Sequence, residues 1–223
     1  MKIYVIGSSK NNFLPLDDIR EKFIIDEQHD EDNIDDLNPW YCELTGLYYL
    51  WKHVDDEIVG LEHYRRYFCN KNNKLISESE INQILVNNDI IAPYQYNRFH
   101  EWYCNPKLML FSKLSPCGQL SDETKHFLFC LRYNDEEFWK FIDKIWLNKK
   151  YILSNNMFIG KKNIIDEYCN LIFTTLDFCH KTFPNDYNNH TKRLYGYITE
   201  CIFGAWLEYK NYKIFSGNKQ VVE

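Results

Sequence analysis

The stretch DEIVGLEHYRRYF, Asp56 to Phe68, places five polar side chains directly after an apolar run. Ile58, Val59 and Leu61 around Gly60 read as a short strand covered on both faces. Glu62, His63, Tyr64, Arg65 and Arg66 follow at once, each able to donate or accept hydrogen bonds. In open α/β sheets ligands bind beyond the carboxyl ends of the strands, so side chains placed there meet a ligand first. Two adjacent guanidiniums match the oxygens of a diphosphate through charge-assisted, often bidentate hydrogen bonds. The same residues also suit a charged turn in which Glu62 pairs with an arginine.

A second set of residues able to do chemistry lies near the end of the chain. Arg193, Gly196, Glu200 and Gly204 are spaced three, four and four on a helix expected at about Lys192 to Glu208, so they share one stripe. Leu194, Tyr197, Ile198, Phe203 and Trp206 flank it. Small residues on the stripe leave room beside Glu200. Facing a cleft, that carboxylate could accept a proton, with a pKa set by burial; facing outward, it is an ordinary solvated group. Glu43 falls in the first turns of another helix, where the helix dipole alone is reason enough for a carboxylate. Asn155 and Asn156 precede a short strand, Met157 to Ile159. An asparagine at a strand mouth can serve sugar hydroxyls as donor and acceptor, and is equally a turn residue.

These residues need a scaffold, and the periodicities supply one. Lys2 to Gly7 is a first strand that breaks into the polar turn Gly7, Ser8, Ser9, Lys10, a frequent opening for nucleotide-binding α/β domains, here with no GxGxxG or Walker pattern. Asn11 to Asn38 reads as irregular, and its acidic run Asp26 to Asp36 as a solvated loop. Asn38 and Pro39 supply an N-cap and first-turn proline for a helix carrying Trp40, Leu44, Leu47, Tyr48 and Trp51 on one face. Ser77 and Glu80 form a capping-box pattern before Ile81, Ile84 and Leu85, and a third strand follows at Asp89 to Ala92. Strand and helix alternate, which predicts right-handed parallel crossovers. Tyr94 to Ser121 lacks periodicity and reads as a long loop or small subdomain near the site. Asn134 with Glu137 opens a further helix, with His126 just before it read as a histidine without partners. Asn163 caps a long helix with Ile164, Ile165, Tyr168, Leu171, Ile172 and Leu176 on one face.

Composition bounds the function. A chain of 223 residues, 45% hydrophobic and 17% aromatic, suits one folded domain over residues 1–223. A net charge of −6 lacks the basic footprint of a nucleic-acid binder. Cys42, Cys69, Cys104, Cys117, Cys130, Cys169, Cys179 and Cys201 are scattered without a CxxC pair, which favours reduced thiols and a cytoplasmic setting. Every long apolar stretch is broken by charge within the length of a membrane span, and the N-terminus enters a strand with no signal core. Peripheral membrane association stays open, and oligomeric state is not legible.

The blocks YCELTGLYYLWKH, GLEHYRRYF, NNMFIGKK with the following YCNLIF, and RLYGYITE occur in this order. Together they resemble a domain-of-unknown-function family of capsular and exopolysaccharide biosynthesis proteins regarded as glycosyltransferases, some of them galactofuranosyltransferase-like. The likeness runs from about Ile3 to Leu207, with His63 to Phe68 its most specific block and Cys42 to Thr45 the next. The chain departs from the family at Ser8 and Ser9, where a Thr-His pair is usual before Lys10, at Cys201, where a basic residue is common, and through Tyr94 to Tyr151.

The resemblance implies a GT-A-like, mostly parallel sheet flanked by helices in a single domain. It also implies transfer of a sugar from a nucleotide-diphosphate donor, with a UDP-sugar expected, to a glycan acceptor at the inner face of the membrane. On that reading Glu200 is the base, with Glu43 second, and Lys10, His63, Tyr64, Arg65, Arg66, Asn156 and Arg193 hold the donor. No Asp-x-Asp pair occurs near the second strand, so Glu62 is the carboxylate expected to hold Mg²⁺ or Mn²⁺ if an ion assists. The alternative reading is a non-catalytic glycan-binding or scaffold protein of a polysaccharide assembly complex.

Overall fold

A computed structural model describes residues 1–30, 32–95, 122–144, 152–153, 155–182 and 193–221. Strand β1 (Lys2–Gly7) lies between β2 (Arg20–Ile24) and β3 (Ile58–His63), parallel to both. Between β2 and β3 come a 3-10 turn at Asp35–Leu37 and two helices, α1 (Asn38–Tyr41) and α2 (Leu44–His53). β4 (Arg66–Cys69), α3 (Glu78–Leu85) and β5 (Ile90–Gln95) follow. Next are α4 (Asp122–Asn134), α5 (Glu136–Lys144), β6 (Ile152–Leu153), β7 (Phe158–Lys161), the long α6 (Lys162–Thr182), α7 (Leu194–Tyr209) and β8 (Ile214–Val221).

The sheet is mixed, which corrects the expectation of a mostly parallel one. β1–β2, β1–β3 and β5–β8 pair parallel, whereas β3–β4, β3–β7, β4–β8, β5–β6 and β5–β7 pair antiparallel. The cause lies in β6 and β7: the chain re-enters beside the outgoing end of β5 and runs back along it, so β7 inserts between β3 and β5 in the opposite sense. β3, β4, β8, β5 and β7 thereby close into a ring, with β1 and β2 extending from β3.

Two apolar clusters sandwich the sheet. Val59 and Leu61 of β3 face α2, α6 and α7 in the larger cluster, where Leu44, Leu47, Ile165, Ile172, Ile198 and Trp206 are buried. Each such aliphatic side chain contributes roughly 1.5–3 kcal/mol by leaving water. The smaller cluster gathers Ile3, Phe68, Ile76, Ile81, Ile91 and Ile159 against α3. Gly60 sits on this second side, between its partners Ile3 and Ile159; a Cβ there would lie 3.0 Å from the Cγ1 atoms of both. The Ser77–Glu80 capping box forms as the sequence implies.

The helix expected from Asn38 onward is broken in two. Cys42 turns at φ 51°, ψ −123°, and α2 restarts at Leu44, so Glu43 becomes a helix-start residue. Asn38 lies inside α1 rather than capping it, and its amide donates to the Ile25 carbonyl. β2 occupies part of the stretch read as irregular, because Phe23 packs into the large cluster and Arg20 into a buried ion pair. His126 lies within α4, not ahead of a helix. The expected loop lies beyond Gln95, outside the described residues.

Candidate active site

Alternation along β3 decides which of its polar residues share a space. Odd positions point to the α2, α6 and α7 side, even positions to the α3 side. His63 therefore faces the helices and Glu62 faces away from them.

Leu61 pairs with Phe158, so the antiparallel register carried two steps further brings His63 opposite Asn156, just ahead of β7. The His63 ring donates to the backbone carbonyl of Asn156. Its Nε2 is buried and has no hydrogen-bond partner, so the donating atom is Nδ1 and Nε2 presents a lone pair. The side chain of Asn156 is almost fully buried and equally directional. Its Nδ2 donates to Glu43 Oε1 at 2.9 Å, Thr199 Oγ1 at 3.1 Å and the Gly196 carbonyl at 3.3 Å. Its Oδ1 is buried without a partner.

Glu43 arrives from the α1–α2 break and Glu200 from the second turn of α7, and both side chains are largely buried. Gly196 of α7 faces this break: a Cβ there would stand in ordinary contact, 3.4 Å from both Cys42 Cβ and Glu43 Oε2. The expected stripe on α7 thus faces inward at this point. The negative charge of Glu200 acts on His63, on Cys42 and on Lys219 of β8, while Arg66 acts on His63 and Lys219. The charge of Glu43 acts on Cys42 and on Arg193, whose guanidinium donates to the Cys42 sulfur.

Electrostatics sets the protonation of this cluster. Burial first, then the Arg66 charge, brings His63 down to about 4, against the opposing pull of Glu200. The imidazole is neutral near pH 7, so its Nε2 meets a ligand as a hydrogen-bond acceptor rather than as a cation. Burial and the Glu43 charge push the Cys42 thiol up to about 11, so it stays protonated. Burial and then Arg66 lower Lys219, against Glu200.

Backbone strain collects at the same place. Cys42 (φ 51°), Asn155 (φ 73°) and Arg193 (φ 70°) are non-glycine residues with positive φ, and they adjoin Glu43, Asn156 and the start of α7. Conformations of this kind cost of order 1–3 kcal/mol each and cluster where geometry is held for function.

Glu62 is elsewhere, and its expected metal role is corrected. It is fully buried, and Arg20 grips it through Nε to Oε2 at 2.8 Å and Nη2 to Oε1 at 3.2 Å. The Phe68 amide adds a third bond to Oε1 at 2.9 Å. Burial raises this carboxyl above its ordinary range against the pull of Arg20 and of the Phe68 N–H. Among the described residues no three His, Cys, Asp or Glu ligand atoms converge in the cleft.

Three further candidates stand apart from the buried cluster. Lys10 is exposed in the turn after β1. Tyr64 bonds through its backbone N–H to the Ile6 carbonyl at 2.8 Å, and its ring lies 6.4 Å from that of Phe13. Arg65 is exposed, its guanidinium 5.1 Å from the Tyr64 ring. They form a rim at the outgoing ends of β1 and β3. Thr199 and Lys219 were not singled out from the sequence; Thr199 stands three residues after Gly196, beside the stripe, and nothing local pointed to Lys219. A hollow of about 360 Å³ lined by Phe68, Ile76, Ile84, Ile91 and Phe215 lies on the α3 side and contains none of these residues.

A model of one family, described as a domain of unknown function (DUF4422), matches residues 4–211. No curated protein matches. Among solved structures, the apo form of WbbM, a bifunctional glycosyltransferase, superposes with a TM-score of 0.79 at 21% identity, over 100% of this chain and 45% of that one. The chain thus spans less than half of that protein and shares the fold of the part it covers. No helix among the described residues is long and apolar enough to cross a membrane. With its match running almost end to end, the chain belongs to the DUF4422 family.

Proposed function

We propose that the protein is a glycosyltransferase of GT-A type that moves a sugar from a nucleotide-diphosphate donor to a hydroxyl of a glycan acceptor in polysaccharide assembly. One observation carries the reading: Glu43 accepts from the buried Asn156, and the charges of Glu200, Arg66 and Lys219 all act on His63, whose Nε2, like Asn156 Oδ1, is buried without a partner. The fold shared with a glycosyltransferase supports it.

Each residue has a role in that chemistry. Glu200 takes the proton of the acceptor hydroxyl as its oxygen attacks the anomeric carbon. The bond from that carbon to the diphosphate breaks, and the electron pair leaves with the nucleoside diphosphate. Arg66 and Lys219 stabilise the charge that develops there, aimed in advance in a space largely closed to water. His63 Nε2 and Asn156 Oδ1 accept hydrogen bonds from sugar hydroxyls and orient the donor. Glu43 holds Asn156, and Arg193 braces the α1–α2 break through Cys42. Lys10, Tyr64 and Arg65 form the rim for the nucleoside, for which UDP is the first candidate.

The test is Glu200→Gln. Transfer and donor hydrolysis are expected to fall by roughly 100- to 10,000-fold, with UDP affinity and melting temperature nearly unchanged. Undiminished turnover would remove Glu200 from the mechanism. Wild-type protein that binds glycan but never releases nucleoside diphosphate from any donor would point to a binding module instead.

A further inference from the structure

Away from the cleft, the interface of α4 and α6 gathers three soft donor atoms. His126 and Cys130 stand four residues apart on α4 and project from one helix face. Cys179, near the end of α6, reaches the same point. His126 nitrogen, Cys130 Sγ and Cys179 Sγ all lie within 4.8 Å of one another. Among the described residues no other three His, Cys, Asp or Glu ligand atoms come so close.

The spacing fits a small ion. With metal–sulfur bonds of about 2.3 Å and metal–nitrogen bonds of about 2.0–2.1 Å, a tetrahedral zinc sets a nitrogen-to-sulfur separation of roughly 3.5 Å. His126 Nε2 and Cys130 Sγ are 3.5 Å apart. Both thiols are fully buried among Phe127, Leu131 and Leu176, while His126 is half-buried. The exposed Thr182, its hydroxyl 2.8 Å from the same Nε2, marks the way in from solvent. A thiol–imidazole hydrogen bond also tolerates that separation, yet polar contacts alone give little net stability inside an apolar interface that aliphatic side chains could fill.

We propose that His126, Cys130 and Cys179 form a binding site for a zinc-class ion, with a fourth position open to water or to the Thr182 hydroxyl. The ion takes the place of both thiol protons, which pass to solvent, and ties α4 to α6. Its role is structural, independent of the transfer chemistry.

Titration of the reduced full chain with Co²⁺ tests the site. Expected are a thiolate-to-cobalt charge-transfer band and visible tetrahedral bands that saturate at one ion per chain and are bleached by Zn²⁺. Zn²⁺ should release about two protons per ion, and raise the melting temperature by roughly 5 °C or more at ~100 times its Kd. Cys130→Ala and Cys179→Ala should each lose the thiolate bands, whereas Cys169→Ala, a buried thiol of α6 outside the trio, should keep them. Wild-type protein without a thiolate band under excess Co²⁺ overturns the proposal, and this arm holds even if a variant fails to fold. A band that survives in Cys130→Ala or Cys179→Ala overturns it as well.

Discussion

Glu62 and His63 are neighbours on one strand, the first fully buried and the second partly so, and the two sides of the sheet treat them oppositely. On the α3 side, each oxygen of Glu62 has a donor, supplied by Arg20 and the Phe68 amide. On the helical side, His63 Nε2 and Asn156 Oδ1 are buried with no partner. An unmade hydrogen bond at a buried polar atom costs about 1–3 kcal/mol, so such atoms persist where something else answers them. Burial alone does not mark a functional residue, and an unanswered atom does not either: the Tyr168 hydroxyl is also buried without a partner, inside the large apolar cluster. Glu62 completes a structure, whereas His63 and Asn156 keep an acceptor atom each that the proposed function assigns to sugar hydroxyls.

That contrast can be broken by experiment. The largest effect on stability belongs to Glu62→Ala, which takes the bidentate partner from the buried Arg20 guanidinium, leaving it Asp17 and the Ile76 carbonyl, and should cost about 3 kcal/mol in denaturant unfolding. A loss below about 1 kcal/mol would mean that the two sides are not so different. Second is the pH dependence set by His63. Folded, it protonates at about 4, against an ordinary value of 6.5 that the unfolded chain retains. Between those values the unfolded state binds more protons, so stability falls as pH drops from 6.5 towards 4, by ~2–3 kcal/mol. His63→Gln should flatten that part of the curve, and an unaltered profile would place the effect elsewhere. Third, Arg66→Ala and Lys219→Ala should each weaken UDP by about 10- to 100-fold and uridine little, at ~1.5–3 kcal/mol per charged hydrogen bond. Equal losses for both ligands in calorimetry would contradict a diphosphate role. The smallest effect is that of Arg65→Ala, ~0.5–1 kcal/mol and equal for UDP and uridine, since the exposed guanidinium lies over Tyr64.

Much of the scaffold was legible in the sequence. β1 was read to the residue because its β-branched run ends at a turn, and the Ser77–Glu80 capping box because it is local. β2, β4 and β8 were not: β2 and β4 are short, and β8, though eight residues long, takes shape between β4 and β5, partners far back in the chain. The antiparallel sense of β7 follows from where the chain re-enters after β6, which no window of sequence reveals. For the site, spacing placed Gly196 and Glu200 on one stripe, and the register of β7 brought Asn156 to His63. Glu62 misled because alternation separates the two sides of a strand without saying which side holds the cleft. Its partner Arg20 stands 42 residues away.

Gly60 has a consequence that its lack of a side chain conceals. Ile3 and Ile159 close over it from the two neighbouring strands, and no other residue type fits that slot without pushing them apart. A slip of β3 by one position would exchange the two faces, burying His63 beneath α3 and swinging Glu62 towards α7. The position that carries no functional group is therefore the alignment key that decides which functional groups meet.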